Sequence, residues 1–432
     1  MKSLWSEKEA SKLRGIELLV YRSRLIGKEP GLVLWGGGNT SMKIDGVLQV
    51  KGSGSDLKVC EVKDFSPLRL APLLEAEKKD TMTDGEMVLF LQSHLLNPHA
   101  PRPSIETLMH AFLPYDHVDH SHADAVVSVT NNKNNRAVFK KLYGHEIVWV
   151  PYTKSGFPLA KKVLAAFKEN SQARGAILEN HGIFTWGPTA KESYETMIEM
   201  VTRAEEAIRQ ALKETPKPLG RILPQKLNQR QRRSLYAQIA PILREAMKEK
   251  GLASLLLRDG EETLNFVNSE KGEEVSQRGP ATPEHAMRTK RAPLFLRLSS
   301  FQDKKRLPGE VLDGLARFSK GYNEYFQRHA SPQDHFVDPY PRVILIPQVG
   351  LIAVGKDEKN ARIVADIAEH TLKIMTNGMA LGGYQSLSEK EIFEMEHWQL
   401  ELFKLSKPVQ SGPMPSPRGR TPEVSPHQKR DL

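Results

Sequence analysis

Three groups of residues have the types and spacing that chemistry requires. The first is Asp119-His120-Ser121-His122. Residues i and i+2 of a strand project to the same face, so the two imidazoles point together. An H-x-H pair also arises by chance on surface strands, and it becomes a metal pair only if a third ligand arrives. His181, in Glu179-Asn180-His181-Gly182 at the end of another predicted strand, is the candidate. Three neutral imidazoles with an open fourth position describe a catalytic zinc site. The second group is Glu106 in Arg102-Pro103-Ser104-Ile105-Glu106. With Ser104 as an N-cap, Glu106 falls in the first helical turn, where the helix dipole alone favours an acid. It also lies off the apolar stripe, and beside a metal a carboxylate there can act as general acid and base. The third group is a pair of loops, Trp35-Gly36-Gly37-Gly38-Asn39-Thr40-Ser41 and Val50-Lys51-Gly52-Ser53-Gly54-Ser55. Gly-rich turns after strands let backbone N–H groups converge on an anion, though tight hairpin turns have the same composition. Neither loop is a Walker A sequence or a dinucleotide fingerprint.

The elements that must position these groups alternate between strand and helix. Apolar spacing predicts a helix over 6–24 and strands over 31–35 and 47–50. Ile105, Leu108, Met109 and Phe112 share one face of a predicted helix over 104–112. The β-branched stretch 118–129 predicts a strand. Two more strands are predicted, over 147–151 and over 175–184, and a long helix over 191–212. Interspersed strands and helices place the chain in the α/β or α+β class. The stretch from Arg174 is echoed from Arg342, with Gly182 against Gly350, Gly187 against Gly355 and Lys191 against Lys359. A weaker match sets Pro103–Met109 against Thr282–Met287. Either any strand–turn–helix unit looks this way, or the second part is a drifted copy of the first. Val349 stands where His181 stands, so such a copy could not rebuild the same metal site.

The chain has 432 residues, 39% hydrophobic and 26% charged, a globular balance. A lone cysteine, Cys60, excludes an internal disulfide and a Cys-based zinc site. No apolar run approaches the ~20 residues of a membrane span, and the N-terminus has no secretory pattern. A soluble, cytoplasmic protein is expected. Residues 213–233 carry +6 and residues 404–432 carry +4, which accounts for the whole net charge of +10. That places the excess in spacers rather than on a folded basic face, against a nucleic-acid partner. The expected organisation is a catalytic domain over 1–214, a basic linker over 215–233, a second α/β domain over 234–405, and a disordered Pro/Ser/Arg-rich tail over 406–432.

In this order, the Gly-Gly-Asn-Thr-Ser loop, the second Gly/Ser turn, Pro-Ser-x-Glu, His-x-His and Asn-His-Gly resemble the class II aldolase/adducin family. The match runs from about Gly31 to Ala207. Leu34–Ser41, Val50–Leu57, Arg102–Leu108, Ala111–Pro114, Val118–His122, Gly279–Arg291 and Ala361–His370 look like the aldolase portion of the bifunctional rhamnulose-1-phosphate aldolase/short-chain dehydrogenase proteins. The resemblance implies a three-layer αβα fold with a central, mostly antiparallel sheet, followed by a degenerate α/β domain. His120, His122 and His181 match the family's zinc ligands, another divalent metal being an alternative. Glu106 matches its catalytic glutamate, and Asn39, Ser53, Gly54 and Ser104 match residues that hold the substrate phosphate, with Gly38 shaping the loop. Ile105 replaces a hydroxyl present in simpler members, so Lys51 or Thr40 is the candidate for that contact. Tyr152 and Lys154 are candidates to line the cleft. The bifunctional proteins continue into a dehydrogenase domain where this sequence turns Pro/Arg-rich, and that activity is not carried over. The implied function is cleavage of a ketose 1-phosphate, best L-rhamnulose 1-phosphate, to dihydroxyacetone phosphate and an aldehyde such as L-lactaldehyde, by a homo-oligomer. The alternatives are a methylthioribulose-1-phosphate-type dehydratase or a non-catalytic, adducin-like scaffold. Adducin-type members lack the metal histidines, and epimerases on this scaffold carry Asp in place of Glu106.

Overall fold

A strand reading His-Val-Asp-His-Ser has polar side chains on both faces, so both faces must supply partners if it is buried. In the computed structural model, which describes residues 1–299, 301, 303 and 305–398, that strand lies at the centre of a seven-stranded sheet. The strands are β1 (Asn39–Ile44), β2 (Val47–Lys51), β3 (Phe65–Arg69), β4 (His117–Ser121), β5 (Ile147–Val150), β6 (Gly175–Leu178) and β7 (Gly182–Gly187). They are ordered β3-β2-β1-β4-β7-β6-β5, with β5 and β6 parallel and every other pair antiparallel. The helices that matter below are α1 (Gly15–Gly27), α2 (Thr107–Phe112), α3 (Asp124–Thr130), α4 (Ala190–Glu214), α5 (Gln229–Met247), α6 (Pro283–Thr289), α7 (Glu358–Ala380) and α8 (Glu389–Glu396).

Residue alternation along β4 divides the molecule. Val118 joins the core that includes Leu108, Phe112, Phe184 and Trp186 on one face. The other face packs Ile177 and Ile183 against α1, α3 and α4 through Leu25, Val126, Met197 and Val201. This gives the expected three-layer αβα architecture of a class II aldolase fold.

Three elements differ from the sequence reading. The predicted strand over 31–35 is a turn, with Leu32 and Val33 buried against the α1 side and Trp35 at φ 51°. The strand predicted over 118–129 ends at Ser121, and the β-branched residues that follow form α3. Every residue of α3 is buried, and tertiary packing overrides their strand preference. The helix predicted from Ser104 begins at Thr107, with Glu106 at the cap position. Ser104 Oγ instead accepts from the Glu106 N–H at 3.2 Å, closing a local turn before the helix.

The segment read as a basic linker is not a free spacer. Leu223 N–H donates to the Asn268 carbonyl at 2.9 Å, Lys226 N–H donates to the Gln348 side chain, and α5 already begins at Gln229. The tail over 406–432 lies outside the described residues.

Beyond this segment a second sheet, β8 (Ser254–Arg258), β9 (Leu294–Phe295), β10 (Val343–Ile346) and β11 (Gly350–Gly355), runs β8-β11-β10-β9. Its pairings are antiparallel, antiparallel and parallel, as in β4-β7-β6-β5. The turn between the last two hairpin strands is reproduced as well: Asn180 and Gln348 both have positive φ, 55° and 68°. A Cβ on Gly182 would fall 2.2 Å from the Ser121 carbonyl oxygen, and one on Gly350 would fall 2.3 Å from that of Arg258. By register, Leu257 occupies the place of His120 and Val349 that of His181, so the second sheet carries no such histidines. The weaker echo of Pro103–Met109 in Thr282–Met287 is not part of this correspondence, because α2 precedes β4 whereas α6 follows β8.

On the α1 face, Arg22 Nε pairs with Asp119 Oδ1 at 3.0 Å, both side chains fully buried. Arg22 also donates to the Ser41 carbonyl at 2.7 Å, and Asp119 accepts from Ser193 Oγ at 2.7 Å, so the pair joins α1, β1, β4 and α4. Burial lifts the Asp119 carboxyl, an effect that Arg22 and Ser193 oppose. Arg22→Met leaves that carboxylate without its counter-ion. The expected loss is about 3–5 kcal/mol of unfolding free energy, read from urea denaturation against the wild-type chain.

Candidate metal centre

Strand β4 ends by presenting His120 and, just beyond it, His122 to the same side, as the period of two requires. His181 arrives from the turn between β6 and β7, which Asn180 makes possible by adopting a left-handed conformation. One ligand atom from each of the three lies within 4.8 Å of the others. Their ring centroids form a nearly equilateral triangle, with sides of 4.9, 5.0 and 5.1 Å.

The rings are fixed from behind. His120 stacks on Phe184 with centroids 4.2 Å apart, and its Nδ1 bonds the Ile183 carbonyl at 3.0 Å. This tautomer turns the other nitrogen, Nε2, toward the cluster, where it is buried without a hydrogen-bond partner. His122 Nδ1 bonds Glu284 Oε2 at 3.0 Å. Burial and the neighbouring His122 hold the His181 imidazole neutral, its pKa lowered to about 3 despite the opposing Glu284 charge. Burial first, and then His122 and His181, push His120 well below the usual range. Three clustered imidazoles, of which His120 and His181 are buried and held neutral and one nitrogen is unsatisfied, fit a divalent cation.

Glu106 completes the cluster. Its Oε1 lies 3.4 Å from His181 Nε2 and its Oε2 lies 3.6 Å from His120 Nε2. Asn39 at the start of β1 donates to Oε2 at 2.6 Å and to Ser104 Oγ at 3.3 Å, while its own oxygen meets His110 Nε2. His110 in turn bonds Ser41 Oγ at 2.7 Å. Asn39 is therefore committed to holding the glutamate.

The other expected residues gather beside this cluster. Gly38, at φ 62°, has no room for a side chain: a Cβ would lie 2.6 Å from Val33 and 2.7 Å from the His120 carbonyl oxygen. Gly36 meets Gly54 of the second loop, and Ser53 N–H bonds the Arg102 carbonyl at 2.8 Å, next to Ser104. The Ser53 hydroxyl is buried with no hydrogen-bond partner. Lys51 Nζ ties the loops together through the carbonyls of Gly36 (2.9 Å) and Ser55 (2.5 Å). Thr40 points to the opposite face of the sheet, where its hydroxyl meets Ser23, so it is not the replacement for the missing hydroxyl. Tyr152 and Lys154 contact the end of the second half instead. Burial and the carboxylates of Glu391 and Glu394 push the Tyr152 phenol up, and Lys154 Nζ sits 4.5 Å over the Trp398 ring.

Sequence reasoning missed His110, Phe184 and Glu284. A histidine inside an apolar helix turn was the only sign of the first. Glu284 lies 162 residues from its partner and opens a helix, where an acid needs no other explanation.

Residues 17–208 match the family model described as Class II Aldolase and Adducin N-terminal domain, and residues 234–405 match Aldolase class II, second domain. A curated Bacillus subtilis (strain 168) protein, named Uncharacterized oxidoreductase YuxG, is 37% identical over 417 residues. That alignment takes in 94% of this chain but 60% of the relative, so the chain spans about three fifths of the relative's length. Among solved structures, the N-terminal class II aldolase domain of a conserved Thermoplasma acidophilum protein is 44% identical, with a TM-score of 0.45. The match covers 48% of this chain and all of that one. L-fuculose-1-phosphate aldolase from Thermus thermophilus is 16% identical with a TM-score of 0.34, covering 46% of this chain and 99% of that one. No helix among the described residues is long and apolar enough to cross a membrane.

Two outcomes follow from the geometry. His181→Ala removes one of the three clustered imidazoles, and loss of stoichiometric divalent-metal binding, read by equilibrium dialysis with elemental analysis, is the expected outcome. His110, His117, His181 and His285 are each lowered to about 3, chiefly by burial, so the unfolded chain binds more protons at mildly acid pH. Stability of the metal-free protein is therefore full above about pH 6.5 and falls as pH drops from there toward 3. Urea midpoints at pH 7.5 and pH 5 measure the slope.

Proposed function

The chain belongs to the class II aldolase family, and on that premise we propose that it cleaves a ketose 1-phosphate, with L-rhamnulose 1-phosphate the best candidate. The products are dihydroxyacetone phosphate and an aldehyde, L-lactaldehyde for that sugar. The observation that carries this reading is a carboxylate, Glu106, held by Asn39 within 3.6 Å of two of three clustered imidazoles. His120, His122 and His181 would hold the divalent ion, zinc by the chemistry of the donor set. Bound there, it supplies Lewis-acid stabilisation of the charge that develops on the ketose oxygen as the carbon–carbon bond breaks. Asn39 orients Glu106 through Oε2. The carboxylate takes up the proton released by the hydroxyl that becomes the aldehyde carbonyl and returns a proton to the carbon left with the electron pair. One bond to hydrogen is thus broken and one formed. The substrate phosphate lies between the loops of Gly38 and of Ser53 and Gly54, close to Ser104. The partnerless Ser53 hydroxyl supports that placement.

In the same reading, residues 1–214 are the catalytic domain. Residues 234–405 are a degenerate aldolase-like copy that has lost its histidines and acts as a built-in structural partner. The protein is a soluble, cytoplasmic homo-oligomer.

The test offers zinc-loaded protein L-rhamnulose 1-phosphate, L-fuculose 1-phosphate and methylthioribulose 1-phosphate, with dihydroxyacetone phosphate release followed by a coupled assay. Release from a ketose 1-phosphate is expected, with Glu106→Gln lowering kcat by about 10²–10⁴-fold. Water loss from the methylthio sugar without carbon–carbon cleavage would replace the aldolase with a dehydratase. No turnover and no bound metal would leave a scaffold.

A further inference from the structure

The metal cluster draws on a residue from outside the first half of the chain. Glu284 is the second residue of α6, which Thr282 caps by accepting from the His285 N–H at 3.3 Å and which Pro283 opens. Its Oε2 meets His122 Nδ1 at 3.0 Å. The carboxylate sits in a slot against the first Gly-rich loop, since a Cβ on Gly37 would come within 2.8 Å of Oε2 and 3.3 Å of His122 Nδ1. The helix that carries it is fixed in turn. His285 Nδ1 bonds Thr371 Oγ1 of α7 at 2.8 Å, and α7 packs on α3, the helix that leaves β4 directly after His122. A second contact runs in parallel: Trp35 Nε1 of the same loop donates to Asp366 Oδ2 of α7 at 3.2 Å.

We propose that Glu284 is a positioning residue of the metal centre, holding His122 in the tautomer and ring orientation that present Nε2 to the cation. The Ile183 carbonyl does the same for His120 through Nδ1. Metal-bound histidines characteristically place their second nitrogen on such an acceptor, and its loss weakens the metal. The second half, without ligands of its own, thereby contributes to the site of the first. This rests on the metal reading above.

The experiment uses the full chain with zinc as probe, in competition with a chromophoric chelator. It also records the visible spectrum of the cobalt-substituted protein and the urea midpoint of the metal-free protein. Glu284→Gln keeps the shape and removes the charge. Expected are about 10–100-fold weaker zinc binding, a shifted cobalt spectrum and an unchanged metal-free midpoint. Glu284→Asp, which keeps the charge and shortens the reach, gives an intermediate affinity and serves if the amide variant does not fold. Asp366→Ala cuts the neighbouring contact without touching His122 and leaves zinc affinity at the wild-type value. Equal affinity and spectrum in Glu284→Gln and wild type, with wild type binding zinc, would overturn this role alone. So would a loss that Asp366→Ala reproduces or that a lowered metal-free midpoint accompanies. A wild-type chain that binds no zinc would overturn the metal reading with it.

Discussion

The centre of a sheet is an expensive place for polar side chains, and β4 puts four of them there. His117, Asp119, His120 and Ser121 flank a single Val118. A buried polar group without a partner costs a few kcal/mol, so the layers on both sides of β4 must be built to meet these groups. On one side Arg22 and Ser193 answer Asp119, and Ser121 points at Met197. On the other side His120 finds one acceptor for one nitrogen and none for the second. The face of Asp119 and Ser121 sets where α1 and α4 lie, and the face of His120 carries the candidate site. Position and chemistry thus follow from one alternation along one strand.

The second half of the chain meets the same demand differently. Its corresponding strand, Ser-Leu-Leu-Leu-Arg, carries Leu257 where His120 stands, and Leu256 joins the apolar core beneath α7. With no polar strand to satisfy, its sheet is a conventional apolar layer. Its contacts with the histidine cluster and the first Gly-rich loop come from its periphery, through the start of α6 and one face of α7. Two sheets of like topology thus differ in what they present, one carrying clustered histidines and the other an apolar layer.

How much of this the sequence disclosed depended on the range of the interaction. Period-two spacing placed His120 and His122 on one face, and the glycines at 182, 187, 350 and 355 marked two hairpins that the structure superposes in role. Local rules failed where a longer contact decided the outcome. The Val-rich stretch after Ala123 has the composition of a strand and is a helix because α4 and α7 bury it from both sides. Residues 219–227 have the composition of a spacer but hydrogen-bond along 268–271 and Gln348. Ser104 has the type of an N-cap, but its hydroxyl serves Glu106 and Asn39 one turn early, which sets the carboxylate at the mouth of the helix instead of on its flank. Glu284 was illegible for a related reason, since nothing in Thr-Pro-Glu-His distinguishes a dipole-stabilising acid from one that reaches another domain's histidine.

The bond from Trp35 to Asp366 spans 331 residues. Closing so long a separation is slow relative to forming hairpins and local helices, because the entropy of the intervening chain must be surrendered first. On the ribosome the consequence is temporal. The strands of the first sheet are all made by Gly187, yet the loop beside the histidine cluster waits until Asp366 has been added before its tryptophan has anything to hold. The sheet is thus available early in synthesis, whereas the loop acquires this anchor only after α7 has been made.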